Sequence, residues 1–194
     1  MKPKRKGSNQ VRIIGGLHRG RQLAFPDLPG LRPTGDRVRE TLFNWLQPLL
    51  PGARCLDLFA GSGVLGLEAA SRGAGEVVLL DQSLQVVRQL QKHVVDLKLN
   101  QVSVVQADTL SWLKTPSLNM LFDVVFIDPP FSDGLLDPCI QLLASSGLLA
   151  ENARVYLEMD VLESLPFFPP EWQLLREKKA GQVAYYLFAH QPSG

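Results

Sequence analysis

Cysteine is scarce in this sequence: the 194 residues include only Cys55 and Cys139, and both lie among apolar residues. No group of cysteine and histidine residues has the spacing of a metal site, so no metal is predicted. Unpaired thiols are typical of a reducing cytoplasm. No apolar run approaches the roughly 20 residues that span a bilayer. The basic start MKPKRKGSNQ also lacks the apolar stretch of a secretory signal. We therefore expect a cytoplasmic protein that does not enter a membrane.

The charge of the chain is unevenly distributed, although the net charge is only +1. Residues 1–39 contain ten Lys and Arg residues and two acids, a net charge of +8. The remaining residues contain ten Lys and Arg residues and seventeen acids, a net charge of −7. A basic segment on an acidic body indicates a polyanionic partner at one end. For Met1–Gln10 alone, a solvated tail explains the charge equally well.

After residue 50 the sequence alternates between buried strands and helices. Short, nearly continuous β-branched runs such as CLDLFA, EVVLLD and FDVVFID separate segments with helical periodicity. This alternation predicts an α/β fold with a doubly wound, mostly parallel sheet. Residues 172–190 are predicted to form two strands joined by a turn at Ala180–Gly181. An antiparallel hairpin is therefore expected to end the sheet.

Residues 1–50 form a distinct basic extension. The segments VRIIGG (Val11–Gly16) and RQLAFP (Arg21–Pro26) predict a short hairpin, and a loop rich in Pro and Gly follows it. Asp36 is expected to cap a helix over RVRETLFNWLQ. We therefore divide the chain into an N-terminal extension, residues 1–50, and an α/β domain, residues 51–194.

The first strand of the α/β domain leads into a glycine-rich turn. In DLFAGSGVLG, Gly61, Gly63 and Gly66 form a GxGxxG pattern, which alone is weak evidence for a dinucleotide at a helix N-terminus. Asp57 changes this interpretation. A carboxylate at the strand end would repel a pyrophosphate, but it would attract a cofactor that carries an ammonium and a sulfonium group. No Lys follows the glycines, which excludes a P-loop.

Two further strands end in acids. Asp81 lies 20 residues after Gly61, where a carboxylate can accept hydrogen bonds from both hydroxyls of a ribose. Asp108, in QADTL, can accept a hydrogen bond from an adenine amino group. The carboxyl ends of parallel strands meet at the edge where ligands bind, so these acids predict a site for S-adenosylmethionine. The predicted cofactor-binding residues in this domain are Asp57, Phe59, Gly61, Gly63, Asp81, Gln82, Asp108 and Thr109.

The fourth strand ends in Asp128-Pro129-Pro130-Phe131 at the same edge. An exocyclic amine on a nucleobase is a poor nucleophile, because its lone pair is delocalised into the ring. The Asp128 carboxylate and the Pro129 carbonyl can hold such an amine and favour electron density on its nitrogen. The face of Phe131 can stack on an unstacked base, worth roughly 1–3 kcal/mol. The four residues are therefore the predicted catalytic loop, and in-line methyl transfer is the predicted chemistry.

These motifs resemble the RsmD family of bacterial 16S rRNA guanine-N2 methyltransferases. The resemblance covers nearly the whole chain. It rests on VRIIGGLHRGRQL, LRPTGDRVRETLFNWL, DLFAGSGVLGLEAASRGA, VFIDPPF and KAGQVAYYLF. The glycine turn and DPPF are common to many amino-methyltransferases, whereas the two N-terminal motifs are specific. Asp81 and Asp108 stand where relatives often carry Glu and Asn, and both can still accept the same hydrogen bonds.

The resemblance implies a Rossmann-like class I fold with a seven-stranded sheet. It also implies S-adenosylmethionine as donor and a guanine of the small ribosomal subunit as acceptor. The hairpin of the extension would face the RNA. The loop and helix that follow the hairpin would cover the cofactor, so Arg32 and Thr34 are also predicted to bind it. The predicted RNA-binding residues are Arg19, Arg21, Arg37 and Arg39. The partner is 16S rRNA within an assembled or assembling subunit, and the enzyme is expected to be a monomer without a metal.

Other functions remain open from the sequence. Adenine N6, cytosine N4 and a protein glutamine also offer a planar NH2 group, which DPPF alone does not distinguish. An NAD-dependent oxidoreductase would explain GxGxxG but not Asp57 or DPPF. A non-catalytic RNA-binding protein would not need the intact cofactor turn.

Overall fold

The computed structural model describes residues 9–28, 33–115, 120–130 and 134–191. The N-terminal hairpin consists of β1 (Asn9–Arg12) and β2 (Gln22–Phe25), which pair antiparallel. The hairpin prediction is confirmed, with the first strand ending at Arg12 instead of Gly16. Helix α1 (Asp36–Leu46) follows. Its N-cap is Gly35, without a side-chain capping bond, so the prediction that Asp36 caps the helix is wrong.

The remaining described residues form a seven-stranded sheet and four helices. In chain order the elements are β3 (Arg54–Asp57), α2 (Val64–Ser71), β4 (Glu76–Asp81), α3 (Leu84–Asp96), β5 (Val102–Gln106), α4 (Thr109–Lys114), β6 (Phe122–Ile127), α5 (Leu136–Ser145), β7 (Leu149–Asp160), β8 (Trp172–Ala180) and β9 (Val183–His190). The strand order is β5-β4-β3-β6-β7-β9-β8. The order reverses between β3 and β6, which opens a crevice at the carboxyl ends of these strands.

The sheet is parallel except at its C-terminal end. β9 pairs antiparallel with both β7 and β8, so the terminal hairpin places one reversed strand between them. The predicted turn at Ala180–Gly181 is confirmed, with Gly181 at φ +62°. The Rossmann-like methyltransferase fold predicted from the sequence is therefore the fold that this chain has.

Helices cover both faces of the sheet. The N-terminal hairpin, α1, α2 and α3 pack on one face, through apolar side chains such as Ile13, Leu42, Phe43 and Leu90. Helices α4 and α5 pack on the other face. Because side chains on α1 share a core with the sheet, this helix is integral to the α/β layer packing. The division of the chain at residue 50 stays a prediction.

The hairpin loop is docked on the C-terminal turn of α2. The Leu17 amide donates to the Ser71 carbonyl at 2.7 Å, and the Ser71 hydroxyl donates to the Gly15 carbonyl at 2.6 Å. A Cβ atom on Gly16 would lie 1.9 Å from the Ser71 carbonyl oxygen, and Gly16 has φ +73°. The two glycines of IIGG therefore let the loop backbone lie directly against the helix.

Candidate active site

A cavity of about 530 Å³ lies at the carboxyl ends of the central strands. Residues from five strand ends line it, and the loop before α1 closes one side. This placement is expected at the crevice of an open α/β sheet. The predicted site residues that line the cavity within the described part of the chain are Thr34, Asp57, Phe59, Gly61, Asp81, Gln82, Asp108, Thr109, Asp128, Pro129 and Pro130.

The glycine-rich turn brings α2 against the end of β3. Gly61 and Gly63 both have positive φ angles, +50° and +77°, which a residue without Cβ adopts at low cost. A Cβ atom on Gly66 would lie 2.2 Å from Leu79 Cδ2 and 3.3 Å from Asp57 Oδ2. The absence of a side chain at Gly66 lets its amide donate to Asp57 Oδ2 at 3.0 Å.

Asp57 is buried and incompletely satisfied. Its Oδ1 atom has no well-formed hydrogen bond to any of the described residues. The Phe59 amide still lowers the pKa of this carboxyl, though less than the Gly66 amide does. Burial raises the pKa of Asp57 to about 7, and the hydrogen bond from the Gly66 amide opposes this shift. A buried carboxylate with a free oxygen at a cavity wall is suited to bind a cation.

Asp81 holds the glycine turn to the end of β4. Its Oδ2 accepts a hydrogen bond from the Gly61 amide at 2.9 Å, and its Oδ1 accepts one from the Ser83 amide at 2.8 Å. Burial raises the pKa of Asp81, and these two amides oppose the shift. Each carboxylate oxygen has a second lone pair, so Asp81 can order the turn and also accept a ligand hydroxyl. Gln82 lies beside it on the cavity wall.

Asp108 and Thr109 begin α4 and have structural partners. Asp108 is the N-cap, and its Oδ1 accepts a hydrogen bond from the Ser111 amide at 2.9 Å. The Ser111 hydrogen bonds lower the pKa of Asp108. The Thr109 hydroxyl donates to the Leu58 carbonyl at 2.6 Å, so it can offer a ligand only a lone pair.

Asp128 follows β6 directly and is covered by the loop before α1. The Thr34 hydroxyl donates to Asp128 Oδ2 at 3.2 Å. Burial raises the pKa of Asp128 well above its ordinary value, and the nearby carboxylates of Glu158 and Asp57 raise it further. Pro129 and Pro130 lie on the same cavity wall, whereas Phe131 lies outside the described residues, as do Arg32 and Met1–Ser8.

Sequence reasoning missed Glu158, a second carboxylate beside Asp128. Glu158 is only 3% exposed and lines the same cavity. The Tyr156 hydroxyl donates to Glu158 Oε1 at 2.7 Å. Burial raises the pKa of Glu158, and hydrogen bonds from Tyr156 and Thr34 oppose the shift. The available signal was an acid within the apolar run of ARVYLEM.

Arg39 is not available to RNA, so this part of the RNA-binding prediction is wrong. Its side chain is fully buried and forms ion pairs with Asp36 at 2.5 Å and Glu68 at 3.6 Å. Its Nε donates to the Thr34 carbonyl at 3.0 Å, and its Nη1 donates to the Arg12 carbonyl at 2.9 Å. Arg39 therefore ties the hairpin, α1 and α2 together and fixes the backbone of Thr34.

The other predicted RNA-binding residues in the described segments lie on the surface. Arg19 and Arg21 are exposed in and beside the hairpin loop, and Arg37 is exposed on the first turn of α1. The RNA-binding role of these three residues stays a prediction.

Comparisons with known proteins agree with this geometry. The chain is 50% identical to the Escherichia coli protein named ribosomal RNA small subunit methyltransferase D, over 100% of this chain and 96% of that relative. It is 47% identical to the protein of the same name from Haemophilus influenzae, over 96% of each chain. The solved structure of the Escherichia coli protein yhhF superimposes with a TM-score of 0.87 at 46% identity, covering 95% of this chain and 100% of that one.

A family model described as conserved hypothetical protein 95 matches residues 11–189. The match includes most of the hairpin, the docked loop, the glycine turn and every strand end that lines the cavity. Together with relatives that align over nearly their full length, it shows that the chain belongs to the RsmD family of methyltransferases.

Proposed function

We propose that this protein transfers a methyl group from S-adenosylmethionine to the exocyclic N2 amine of a guanine in the RNA of the small ribosomal subunit. The observation that carries the proposal is that two buried aspartates lie on different walls of one cavity. Asp57 offers an unpartnered carboxylate oxygen at one wall, and Asp128 stands beside two prolines at another. The names of the full-length relatives support the choice of RNA.

The residues present fit S-adenosylmethionine. The unsatisfied Oδ1 of Asp57 suits its ammonium group, and the free lone pairs of Asp81 suit the ribose hydroxyls. Asp108 accepts hydrogen bonds from Ser111, and the remaining lone pairs of its carboxylate suit the adenine amine. Phe59, Gln82 and Thr109 complete this wall, and Thr34 covers it. When bound, S-adenosylmethionine supplies a methyl group on a positively charged sulfur.

Asp128 and Pro129 would act on the acceptor amine. The Asp128 carboxylate accepts one N2–H, and the Pro129 carbonyl accepts the other. These bonds orient the nitrogen lone pair for in-line attack and increase its electron density. The transfer leaves a surplus proton on nitrogen. The ionised Asp128 carboxylate, which accepts a hydrogen bond from this amine, is the base that can take up that proton.

The arrangement disfavours the other candidate functions. A dinucleotide pyrophosphate next to the buried Asp57 would place two anions together, which argues against an NAD-dependent oxidoreductase. A non-catalytic RNA-binding protein would leave the cost of burying Asp57, Asp128 and Glu158 without a purpose. Among acceptors with a planar amine, the names of the relatives favour ribosomal RNA over DNA and protein.

The test is methyl transfer from labelled S-adenosylmethionine to small ribosomal subunits from cells that lack this gene. Subunits from normal cells, free RNA, DNA and protein serve as comparison acceptors. Mass spectrometry then identifies the methylated nucleoside. We expect N2-methylguanosine on the unmodified subunits alone. Label in N6-methyladenosine, N4-methylcytidine or a glutamine side chain would contradict the proposal, as would NAD binding in place of S-adenosylmethionine.

A further inference from the structure

Glu158 is a buried carboxylate for which the steps proposed above have no use. It lies in β7, the neighbour of the strand that ends in Asp128. Its side chain is 3% exposed, and it lines the cavity together with Asp128 and Pro129. A carboxylate in such a position is costly unless a ligand supplies donors to it.

The sheet register sets Glu158 beside Asp128. β6 and β7 are parallel, and Ile127 pairs with Leu157, so the next position on each chain holds one of the two acids. Adjacent parallel strands lie about 4.8 Å apart, and residues at matching positions project to the same face. The two carboxylates therefore stand side by side at the acceptor end of the cavity.

Each of the two carboxylates accepts a hydrogen bond from a neighbouring hydroxyl. The Tyr156 hydroxyl donates to Glu158 Oε1 at 2.7 Å, and the Thr34 hydroxyl donates to Asp128 Oδ2 at 3.2 Å. The nearby Glu158 carboxylate disfavours the charged form of Asp128, because like charges repel. A ligand edge with two adjacent donors would satisfy both acids at once.

Guanine has such an edge, because its N1–H lies next to its N2 amine. Adenine and cytosine instead present a ring-nitrogen lone pair beside their amine, and a glutamine amide has a methylene group and a carbonyl there. We propose that Glu158 accepts the N1–H of the guanine whose N2 amine is held by Asp128, and so selects guanine over other bases. This inference rests on the proposed guanine-N2 activity and names the residue that specifies it.

The experiment uses unmodified small subunits that carry either guanine or 2,6-diaminopurine at the nucleotide that the enzyme methylates. Diaminopurine keeps the N2 amine but has a lone pair at N1. The kcat/KM values for the two acceptors are compared among wild type, Glu158→Gln and Glu151→Gln. Glu151 is an exposed acid in the same strand, so its substitution is the matched control.

Wild type and Glu151→Gln should prefer guanine by at least about 10-fold, since two acceptors, the Glu158 carboxylate and N1 of diaminopurine, would face each other in a buried site. The amide of Glu158→Gln can donate to N1 of diaminopurine, so this variant should lose most of the preference. Diaminopurine also differs from guanine at C6. The change in the ratio between variants, and not the wild-type ratio, therefore reports on Glu158.

Binding measurements provide a second readout. The affinity of each variant for the two kinds of subunit is measured with S-adenosylhomocysteine present, so that no turnover occurs, and the affinity ratio should change in the same way. Equal ratios in wild type and Glu158→Gln, in both measurements, would overturn the inference while leaving the guanine-N2 activity in place. Failure of the wild-type enzyme to form N2-methylguanosine would overturn the proposed function and the inference with it.

Discussion

Three acids at the cavity make the free protein less stable than its core packing alone would allow. Asp57, Asp128 and Glu158 are buried, and burial raises the pKa of each. Buried carboxylates with raised pKa values are typical of functional sites, where a ligand later compensates the cost of burial. The Oδ1 atom of Asp57 is the most direct sign of this, since none of the described residues makes a well-formed hydrogen bond to it.

The stability of the free protein should therefore depend on Asp57 and pH. The folded pKa of about 7 lies above the unfolded value, so the native state binds the proton more tightly and loses stability as pH rises from about 4 to 7. Asp57→Asn removes this dependence. Relative to wild type, its free energy of unfolding should increase by about 2–3 kcal/mol between pH 5 and pH 8.

Urea denaturation without ligand, at pH 5 and pH 8, measures this difference. The exposed Asp137→Asn variant serves as the control. If the free energies of unfolding of wild type and Asp57→Asn differ by the same amount at both pH values, Asp57 is not a buried group that binds a proton on folding.

Helix α1 is the element that joins the N-terminal hairpin to the cavity. Arg39 on its inner face contacts the hairpin through the Arg12 carbonyl and α2 through Glu68. It also holds the Thr34 carbonyl, and the Thr34 hydroxyl donates to Asp128. Of the two arginines that the structure describes in the motif RPTGDRVRE, Arg39 therefore stabilises the fold and Arg37 faces solvent.

Arg39→Ala should destabilise the protein by about 3–5 kcal/mol, because it leaves the fully buried Glu68 with a single cationic partner, Arg72. Arg37→Ala, two residues earlier on the exposed side of the same helix, should change stability by less than about 0.5 kcal/mol. Guanidinium denaturation of both variants measures the difference. Similar midpoints for the two variants would contradict the role assigned to Arg39.

At the scale of the whole molecule, the sequence predicted the sheet and one wall of the site. Asp57, Asp81, Asp108 and Asp128 each follow a short apolar strand, and parallel strands bring such ends to one edge. Glu158 was missed because its strand begins at Leu149 and continues past the acid to Asp160. The sequence also does not reveal that β7 is the strand beside β6, a long-range pairing set by the sheet order.

Arg39 was misassigned for a related reason. Arginines are usually exposed, so both Arg37 and Arg39 were predicted to bind RNA, although a spacing of two residues points them to different sides of a helix. The partner that buries Arg39 lies almost 30 residues away, in α2. An acid in the apolar segment VLGLEAAS was the available signal that a buried cation was needed, since a buried charge requires a partner.

The uneven charge predicts how the whole molecule meets RNA. Arg19 and Arg21 are exposed at the hairpin loop, whereas the exposed Arg54 begins β3 at the sheet edge opposite the cavity. Arg19→Ala or Arg21→Ala should weaken association with unmodified subunits and reduce the slope of log K against log salt by roughly 0.7–0.9. Arg54→Ala should leave the slope unchanged. Salt slopes equal to that of wild type in all three variants would show that the hairpin loop does not contact phosphates.

We propose that one cavity holds the methyl donor at Asp57 and presents the acceptor amine to Asp128. The most direct test measures single-turnover methylation and the Kd for S-adenosylmethionine in the same Asp128→Ala preparation. Asp123→Ala is the control, because it removes an exposed acid from the opposite end of the same strand. We expect Asp128→Ala to lose turnover by a factor of at least about 100 while its Kd for S-adenosylmethionine changes by less than about threefold. Parallel loss of binding and turnover, or turnover close to that of Asp123→Ala, would contradict it.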